Sequence, residues 1–285
     1  MIRIITEAMS DLTRMDAMSL GVTLVSQPLR FGMEEFLDDG GVSLKREDFF
    51  ARMRVATELP HTSMVPMAFW LDAFNKCLRD PAAEILCIAG SSRLSGGHHA
   101  AELAQEECSD PSRVTVVDSM NASCGEMLLV EEAARMRDNG ATVAEIVARL
   151  EEIKGRQLLF GLADDLKYLV MGGRLNPLVA KVGGALNIKP TLMIKNGVIE
   201  KEGVVRGTKK GHAWYIEQLK KNPPDPSIPL YIGGADCPEI VALLKSMVEE
   251  AGINCTIRVM DIGCLVGTHV GPGLTLMSWA KDTAH

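Results

Sequence analysis

The chain reads as an α/β protein of two domains. The N-terminal parallel-sheet α/β domain takes residues 1–155, and the C-terminal mixed-sheet α/β domain takes residues 156–285, with a ligand site between them. Three observations predict this. Short apolar runs alternate with helical patterns from residue 2 to residue 154, the order that builds a parallel sheet with helices on its faces. Asn196-Gly197 stands between two extended runs, the signature of a type I′ hairpin and so of antiparallel pairing. With 285 residues, 47% of them hydrophobic, the chain can bury one large core or two ordinary ones.

In order, residues 2–6 form a buried strand, and Ser10-Asp11 turns the chain. Residues 22–31 are apolar and broken by Pro28; Asp38-Asp-Gly-Gly41 is a turn; Phe49, Phe50 and Met53 mark a helix face. Thr62 and Ser63 precede Pro66 and an apolar helical stretch. Hydroxyls there suit helix caps, and free backbone N–H groups at a helix start attract anions. Residues 84–89 form a strand of the fully buried kind, which runs into Gly90-Ser-Ser-Arg-Leu-Ser-Gly-Gly97 and a helix over 98–107. In open α/β sheets such a turn sits where ligands bind. Ser91, Ser92 and Ser95 offer hydroxyls, while Gly96 and Gly97 offer bare backbone. The turn has neither the Gly-Lys-Ser/Thr ending of a phosphate loop nor the Gly-x-Gly-x-x-Gly spacing. A strand over 113–118 and a helix over 126–138 follow, the helix ended by Asn139-Gly140. Thr142 and Glu145 form a capping box for the next helix.

After Gly155 the pattern changes. Residues 157–162 are a strand, and a short helix over 164–171 ends at Gly172-Gly173, with Arg174 behind. Residues 178–186 are apolar around Gly183-Gly184 and should pack closely. The hairpin comes next, then a helix over 208–221 and a strand over 230–233. Asp236-Cys-Pro-Glu239 opens a helix whose Ile240, Leu243, Leu244, Met247, Val248 and Ala251 share a face. A strand over 255–260 leads to Leu265-Val-Gly-Thr-His-Val-Gly-Pro-Gly273, read as a glycine-rich loop that holds His269.

Composition narrows the function. A net charge of −7 argues against a nucleic-acid partner. The start of the chain reads as a strand and not as a signal peptide, and no run has the length of a membrane span. The seven cysteines include no Cys-x-x-Cys pair, which predicts reduced thiols, a cytoplasmic protein and no metal site. The 16 methionines suit core filling, or a cavity for a flexible apolar ligand.

Seven separated stretches together carry a specific resemblance: Thr62-Ser63, Ser91-Ser-Arg-Leu-Ser-Gly96, Val117-Asp-Ser119, Gly172-Gly-Arg174, Asn187-Ile-Lys-Pro190, Val205-Arg-Gly-Thr-Lys-Lys210 and Gly267-Thr-His-Val-Gly-Pro-Gly273. In these motifs and their order the chain resembles the bacterial DegV family of fatty-acid-binding proteins. The resemblance implies no catalytic residue, no metal and no cofactor, with a long-chain fatty acid as the bound ligand. It implies a carboxylate site at Thr62, Ser63, Ser92, Ser95, Gly96 and His269. It implies that Arg174, Arg206 and His269 face the phosphoryl group or a kinase. The partner is then a fatty-acid kinase catalytic subunit, which phosphorylates the bound acid with ATP, and an acyltransferase takes the acyl-phosphate towards phospholipid. The chain departs from the family pattern at Thr6-Glu-Ala8 (usually Thr-Asp-Ser), at Met64-Val-Pro66 (usually Gln-Pro) and at Ser95-Gly-Gly97 (usually Ser-Gly-Thr).

The chemistry fits a carrier. A buried carboxylate needs hydrogen bonds, and hydroxyl and N–H donors supply them without a fixed ion pair. His269, with an ordinary pKa, would donate to the carboxylate or to the phosphate. Two other readings compete: a stand-alone hydrolase pairing Ser91 or Ser95 with His269, and a phosphotransferase acting alone on a lipid-like substrate. The first lacks a Gly-x-Ser-x-Gly elbow, and the second lacks a phosphate loop and a cluster of acidic residues for metal. Arg174 also suits simple helix capping, and Arg206 with Lys209-Lys210 suits a solvated face.

Overall fold

The computed structural model describes residues 1–178 and 187–283. The apolar stretch expected to pack around Gly183-Gly184 lies, from residue 179 on, outside the described residues.

The first half begins with β1 (Ile2–Glu7), α1 (Arg14–Ser19), β2 (Val22–Val25), β3 (Gln27–Phe31) and β4 (Glu34–Asp38). It continues with α2 (Arg46–Val55), β5 (His61–Thr62), α3 (Met67–Leu78), β6 (Glu84–Ala89), α4 (Gly97–Glu107), β7 (Val114–Asp118), α5 (Cys124–Asp138) and α6 (Val143–Lys154). Four strands make an all-parallel sheet in the order β2-β1-β6-β7. Its centre is buried on both faces, as the continuous apolar run of β6 requires: Ile85 to Ala89 are all 0% exposed. The Thr142–Glu145 capping box forms as expected.

Strict alternation fails in one place. β3, β4 and β5 make a separate antiparallel sheet in the order β4-β3-β5, where the sequence reading placed only a broken apolar run and a turn. Gly32, at φ +57°, supplies the left-handed residue that folds β4 back on β3. Thr62 and Ser63 correspondingly are not helix caps. Thr62 ends β5, paired with Leu29, and α3 starts after Pro66 with no side-chain cap.

The second half holds β8 (Gln157–Leu162), α7 (Lys167–Met171), β9 (Ile188–Lys195), β10 (Val198–Arg206), α8 (Thr208–Lys221) and β11 (Leu230–Gly234). It ends with α9 (Pro238–Glu250), β12 (Ile257–Asp261), α10 (Cys264–Val270) and β13 (Thr275–Ala280). Six strands form a mixed sheet in the order β10-β9-β8-β13-β11-β12, in which only β11 and β12 pair in parallel. Asn196 (φ +49°) and Gly197 (φ +77°) take the two left-handed positions of the expected hairpin turn.

Helix α5 lies between the two large sheets, touching β1 and β6 on one side and β8, β11 and β13 on the other. Residues 124–130 are therefore buried all round. One apolar core accordingly runs through both halves, joining Ile4, Phe49 and Leu86 to Leu159, Leu192 and Leu274. Polar links tie the same layer. Gln157 Nε2 donates to Gly125 O (2.7 Å), and Tyr231 Oη donates to Glu131, which also takes Arg258. Among the described residues, no helix is long and apolar enough to cross a membrane.

Candidate functional site

The stretch read as a glycine-rich loop is largely helix. Residues 264–270 form α10, and only Gly271 to Gly273 turn the chain into β13. The glycines serve close packing more than mobility. A side chain at Gly267 would meet the Phe50 ring, and one at Gly271 would overlap Tyr168. Gly271 also stands at φ +76°, where a side chain is strained. α10 thus sits against α2, α7 and β5, with His269 in its last turn.

Two buried aspartates hold the other end of α10. Asp11 accepts from the Gly263 N–H (2.9 Å) and from Ser123 Oγ, and Asp38 accepts from the Leu265 N–H (2.7 Å). A helix N-terminus favours negative charge. Burial opposes it, pushing the Asp11 carboxyl up to about 7 and raising Asp38 as well; Arg46 offsets part of this in both.

His269 Nε2 and Thr62 Oγ1 share a hydrogen bond of 2.9 Å. Its Nδ1 is buried with no hydrogen-bond partner and lies against Gly172, where a Cβ would overlap it. Burial, helped by the neighbouring Arg174 charge, pushes the His269 pKa down to about 4. This corrects the sequence expectation of an ordinary imidazole. At neutral pH the ring is uncharged, one donor and one acceptor.

Arg174 follows α7 and turns back. Its Nε donates to Leu94 O (3.2 Å) and its Nη1 to Gly172 O. It therefore does close the end of α7, and it also lines a cavity with His269. That cavity, of about 60 Å³, has Thr62, Ser63, Ser95, Gln27, Arg174 and His269 as its polar walls. Met9, Met64, Leu94, Ala122, Ile199, Leu265, Val266 and Val270 complete it. A second cavity of about 50 Å³ is lined by aliphatic side chains from β8, β9, α7 and β13, with Ser123 at its edge. Ala122, Ile199, Val266 and Val270 belong to both. The two spaces therefore form a polar mouth and an apolar interior with a shared wall. Larger clefts of about 550 Å³ lie over β3–β4 and beside α2, but they are open and lined by mixed charged and apolar groups. A small space with convergent polar groups beside an apolar one is the better ligand site.

The other expected site residues divide. Ser95 lines the mouth, and its Oγ accepts from the Gly97 N–H (3.3 Å). Ser63 lines it too, at the exposed edge. Gly96 lies beside it, with Met64 Sδ 2.5 Å from where a Cβ would stand. Ser92 does not line it: the side chain is exposed and its N–H donates to the Asp118 carboxylate (3.3 Å). Arg206 is exposed at the end of β10 and does not line it either. Ser91, read as a possible nucleophile, is buried and donates from Oγ to Gly197 O (2.7 Å), while Arg93 Nη1 donates to Asn196 O (3.1 Å). These two residues clamp the hairpin tip onto the serine-rich turn.

The model of the family described as "uncharacterised protein, DegV family" matches residues 1–282. The chain belongs to the DegV family. A DegV domain-containing protein of Deinococcus radiodurans is 32% identical over 283 residues, covering 95% of each chain. A solved DegV family protein of Thermus thermophilus, described for its fatty-acid binding, superposes with a TM-score of 0.90 at 27% identity over 98% of this chain and 99% of that one. The fatty acid kinase B3 protein of Streptococcus pneumoniae, solved with linoleic acid, shares the fold at a TM-score of 0.84 and 23% identity, over 99% of both chains.

Two of the positions that the resemblance marks as departures, Glu7 and Gly97, touch in space. The Glu7 carboxyl lies where a side chain at position 97 would go, 2.8 Å from the place of a Cβ. The longer acid at 7 and the bare glycine at 97 therefore fit each other. The sequence reading missed Met9 and Gln27 at the mouth, and it expected an apolar interior without naming the side chains that line it. The only signal for Met9 was its place directly after the first strand, where a βα turn faces ligand.

Proposed function

We propose that this chain binds a long-chain fatty acid, with its carboxylate at the mouth and its tail in the apolar interior. The observation that carries the reading is the shared wall of Ala122, Ile199, Val266 and Val270, which sets a polar mouth directly beside an aliphatic interior. The 27% identical Thermus protein described as fatty-acid-binding supports it. Thr62, Ser63, Ser95, the Gly96 backbone and His269 hold the head group. Each methylene transferred from water adds about 0.8 kcal/mol, so a long tail dominates affinity. The cavities as they stand take only part of such a tail. The unbranched side chains of Met9 and Met64 can swing to admit more.

We further propose that the chain is a carrier and does not itself catalyse: it presents the carboxylate to a separate ATP-dependent kinase subunit, giving an acyl-phosphate that an acyltransferase consumes. The motif resemblance supports this step. In it Arg174, beside His269, faces the phosphoryl group, and the exposed Arg206 belongs to the kinase-facing surface. Ser92 reaches the head group only if the serine-rich turn rearranges. The hydrolase reading loses ground, because His269 pairs with Thr62 and no carboxylate orients its Nδ1.

Organic extraction of the purified chain followed by mass spectrometry tests the binding. The expected result is co-purified fatty acid near one per chain. Absence of acid in repeated preparations, with no uptake of added oleate or palmitate, overturns the reading.

A further inference from the structure

Beneath the serine-rich turn lie two carboxyls that the carrier reading does not use. Glu7, at the end of β1, and Glu126, in the first turn of α5, are both 0% exposed. Glu7 Oε1 accepts from the Gly90 N–H (3.0 Å), and Glu126 Oε1 accepts from Thr6 Oγ1 (2.9 Å). The second oxygen of each, Glu7 Oε2 and Glu126 Oε2, is buried without a hydrogen-bond partner. Among the described residues, the groups that bear on them are Cys87 on β6, Asp11 after β1 and Asp118 at the end of β7, none of them basic. Two carboxylates without a cation cannot both stay ionised there. Both carboxyls meet at Gly90, whose N–H goes to Glu7 Oε1 and where a Cβ would stand 3.0 Å from Glu126 Oε2, so a proton held by the pair relieves the charge on both.

The position of the pair gives it a consequence. Glu7 presses on Gly97, two residues from Ser95 at the mouth. Met9 bridges the remaining distance, lining the mouth while its sulfur rests on Gly90. The pair and the mouth thus meet through one layer of turn, with Gly90 and Gly97 against the carboxyls and Ser95 at the mouth. Charge is felt strongly across such a layer, because little water screens it.

We propose that Glu7 and Glu126 share one proton, and that seating a carboxylate at the mouth draws a further proton onto the pair. This rests on the fatty-acid reading above and adds a regulation to that site: acid binding becomes proton-linked. The added proton comes from solvent and goes to a carboxylate oxygen, with no other bond made or broken. Burial places the Glu7 carboxyl at about 7 and Glu126 well above the ordinary range, so the second proton is exchanged near neutrality.

Calorimetric titration of the full chain with oleate at pH 7.5, in two buffers of different ionisation heat, reads the uptake directly. The expected result is roughly half a proton taken up per oleate bound, lost in Glu7→Gln and retained in His269→Asn. Oleate binding with no proton uptake by the natural chain overturns the proposal and leaves the fatty-acid reading intact. Uptake that persists in Glu7→Gln and disappears in His269→Asn assigns the proton to the histidine and also overturns it. No binding of oleate removes both. Should Glu7→Gln not fold, the Glu7 and Glu126 carboxyl carbons of the natural chain are followed by NMR. A shift on adding oleate at pH 7.5 supports the pair, and unmoved resonances overturn it.

Discussion

Thr62 Oγ1 and His269 Nε2 stand 2.9 Å apart, joining β5 to α10 across 207 positions of sequence. The bond closes one side of the mouth, and each partner is held by its own element. Thr62 is held by the β3–β5 pairing, and His269 by a helix anchored at its far end through Asp11 and Asp38. A head group arriving here meets prepositioned donors, so little ordering is left to do on binding.

Thr62→Ala should therefore weaken binding of oleate by about 10- to 100-fold, the range for losing a hydrogen bond to a charged acceptor. Displacement of a fluorescent fatty acid measures it. Affinity within a factor of two of the natural chain would take Thr62 out of the head-group site.

His269 should matter more after binding than during it. An uncharged imidazole adds little attraction for a carboxylate, yet it can donate to oxygens that gain negative charge as phosphoryl transfer proceeds. His269→Ala is expected to lower the rate of phosphorylation by kinase and ATP at least tenfold more than it lowers oleate affinity. Equal losses in the two assays would refute that division of roles.

Much of this was legible in the sequence because it is local. The buried run of β6, the serine-rich turn behind it and the Asn196-Gly197 hairpin each announce themselves within ten residues. The site is not local in that way. Thr62 reads as a helix cap until β5 is seen to pair with Leu29. The segment 264–270 reads as a loop because Gly267, the glycines just outside it and a short length hide a helix stabilised by capping carboxylates from residues 11 and 38. Glu7 and Gly97 read as separate departures from a pattern, although in space they fill one volume. The depressed pKa of His269 depends on burial by α7, β5 and the mouth, and no local spacing encodes it.

The wall shared by mouth and interior should set how much tail enters. Ile199 on β10 belongs to both spaces. Ile199→Trp places a larger ring at the junction and costs overpacking of about 1–3 kcal/mol if the ring must stay there. The variant should bind oleate at least tenfold more weakly while changing decanoate affinity less, since a short tail asks less of the interior. Equal weakening for both acids, at unchanged thermal stability, would place the tail elsewhere.

The buried carboxyls predict the sign of stability against pH. Glu7 and Asp11 are each pushed up to about 7 by burial, from ordinary values of 4.5 and 3.8. Between those limits the folded chain holds protons that the unfolded chain has lost. Their contribution is whole below the unfolded values and disappears as pH rises through 7. His269 acts in the opposite sense. Held down to about 4, against 6.5 when exposed, it makes the folded chain the poorer proton binder in acid. Above about pH 7.5 the histidine is neutral in both states, and just above 6.5 its smaller opposing contribution is outweighed by the two carboxyls. Tm should therefore fall by several degrees between pH 6.5 and pH 8.5, and Asp11→Asn should flatten that slope, since an amide still accepts from the Gly263 N–H but has no proton to lose. Scanning calorimetry at constant ionic strength gives both curves. A Tm that rises over this window would mean that these carboxyls are ionised in the folded chain and compensated by a cation, which would also remove the basis for a proton shared between Glu7 and Glu126.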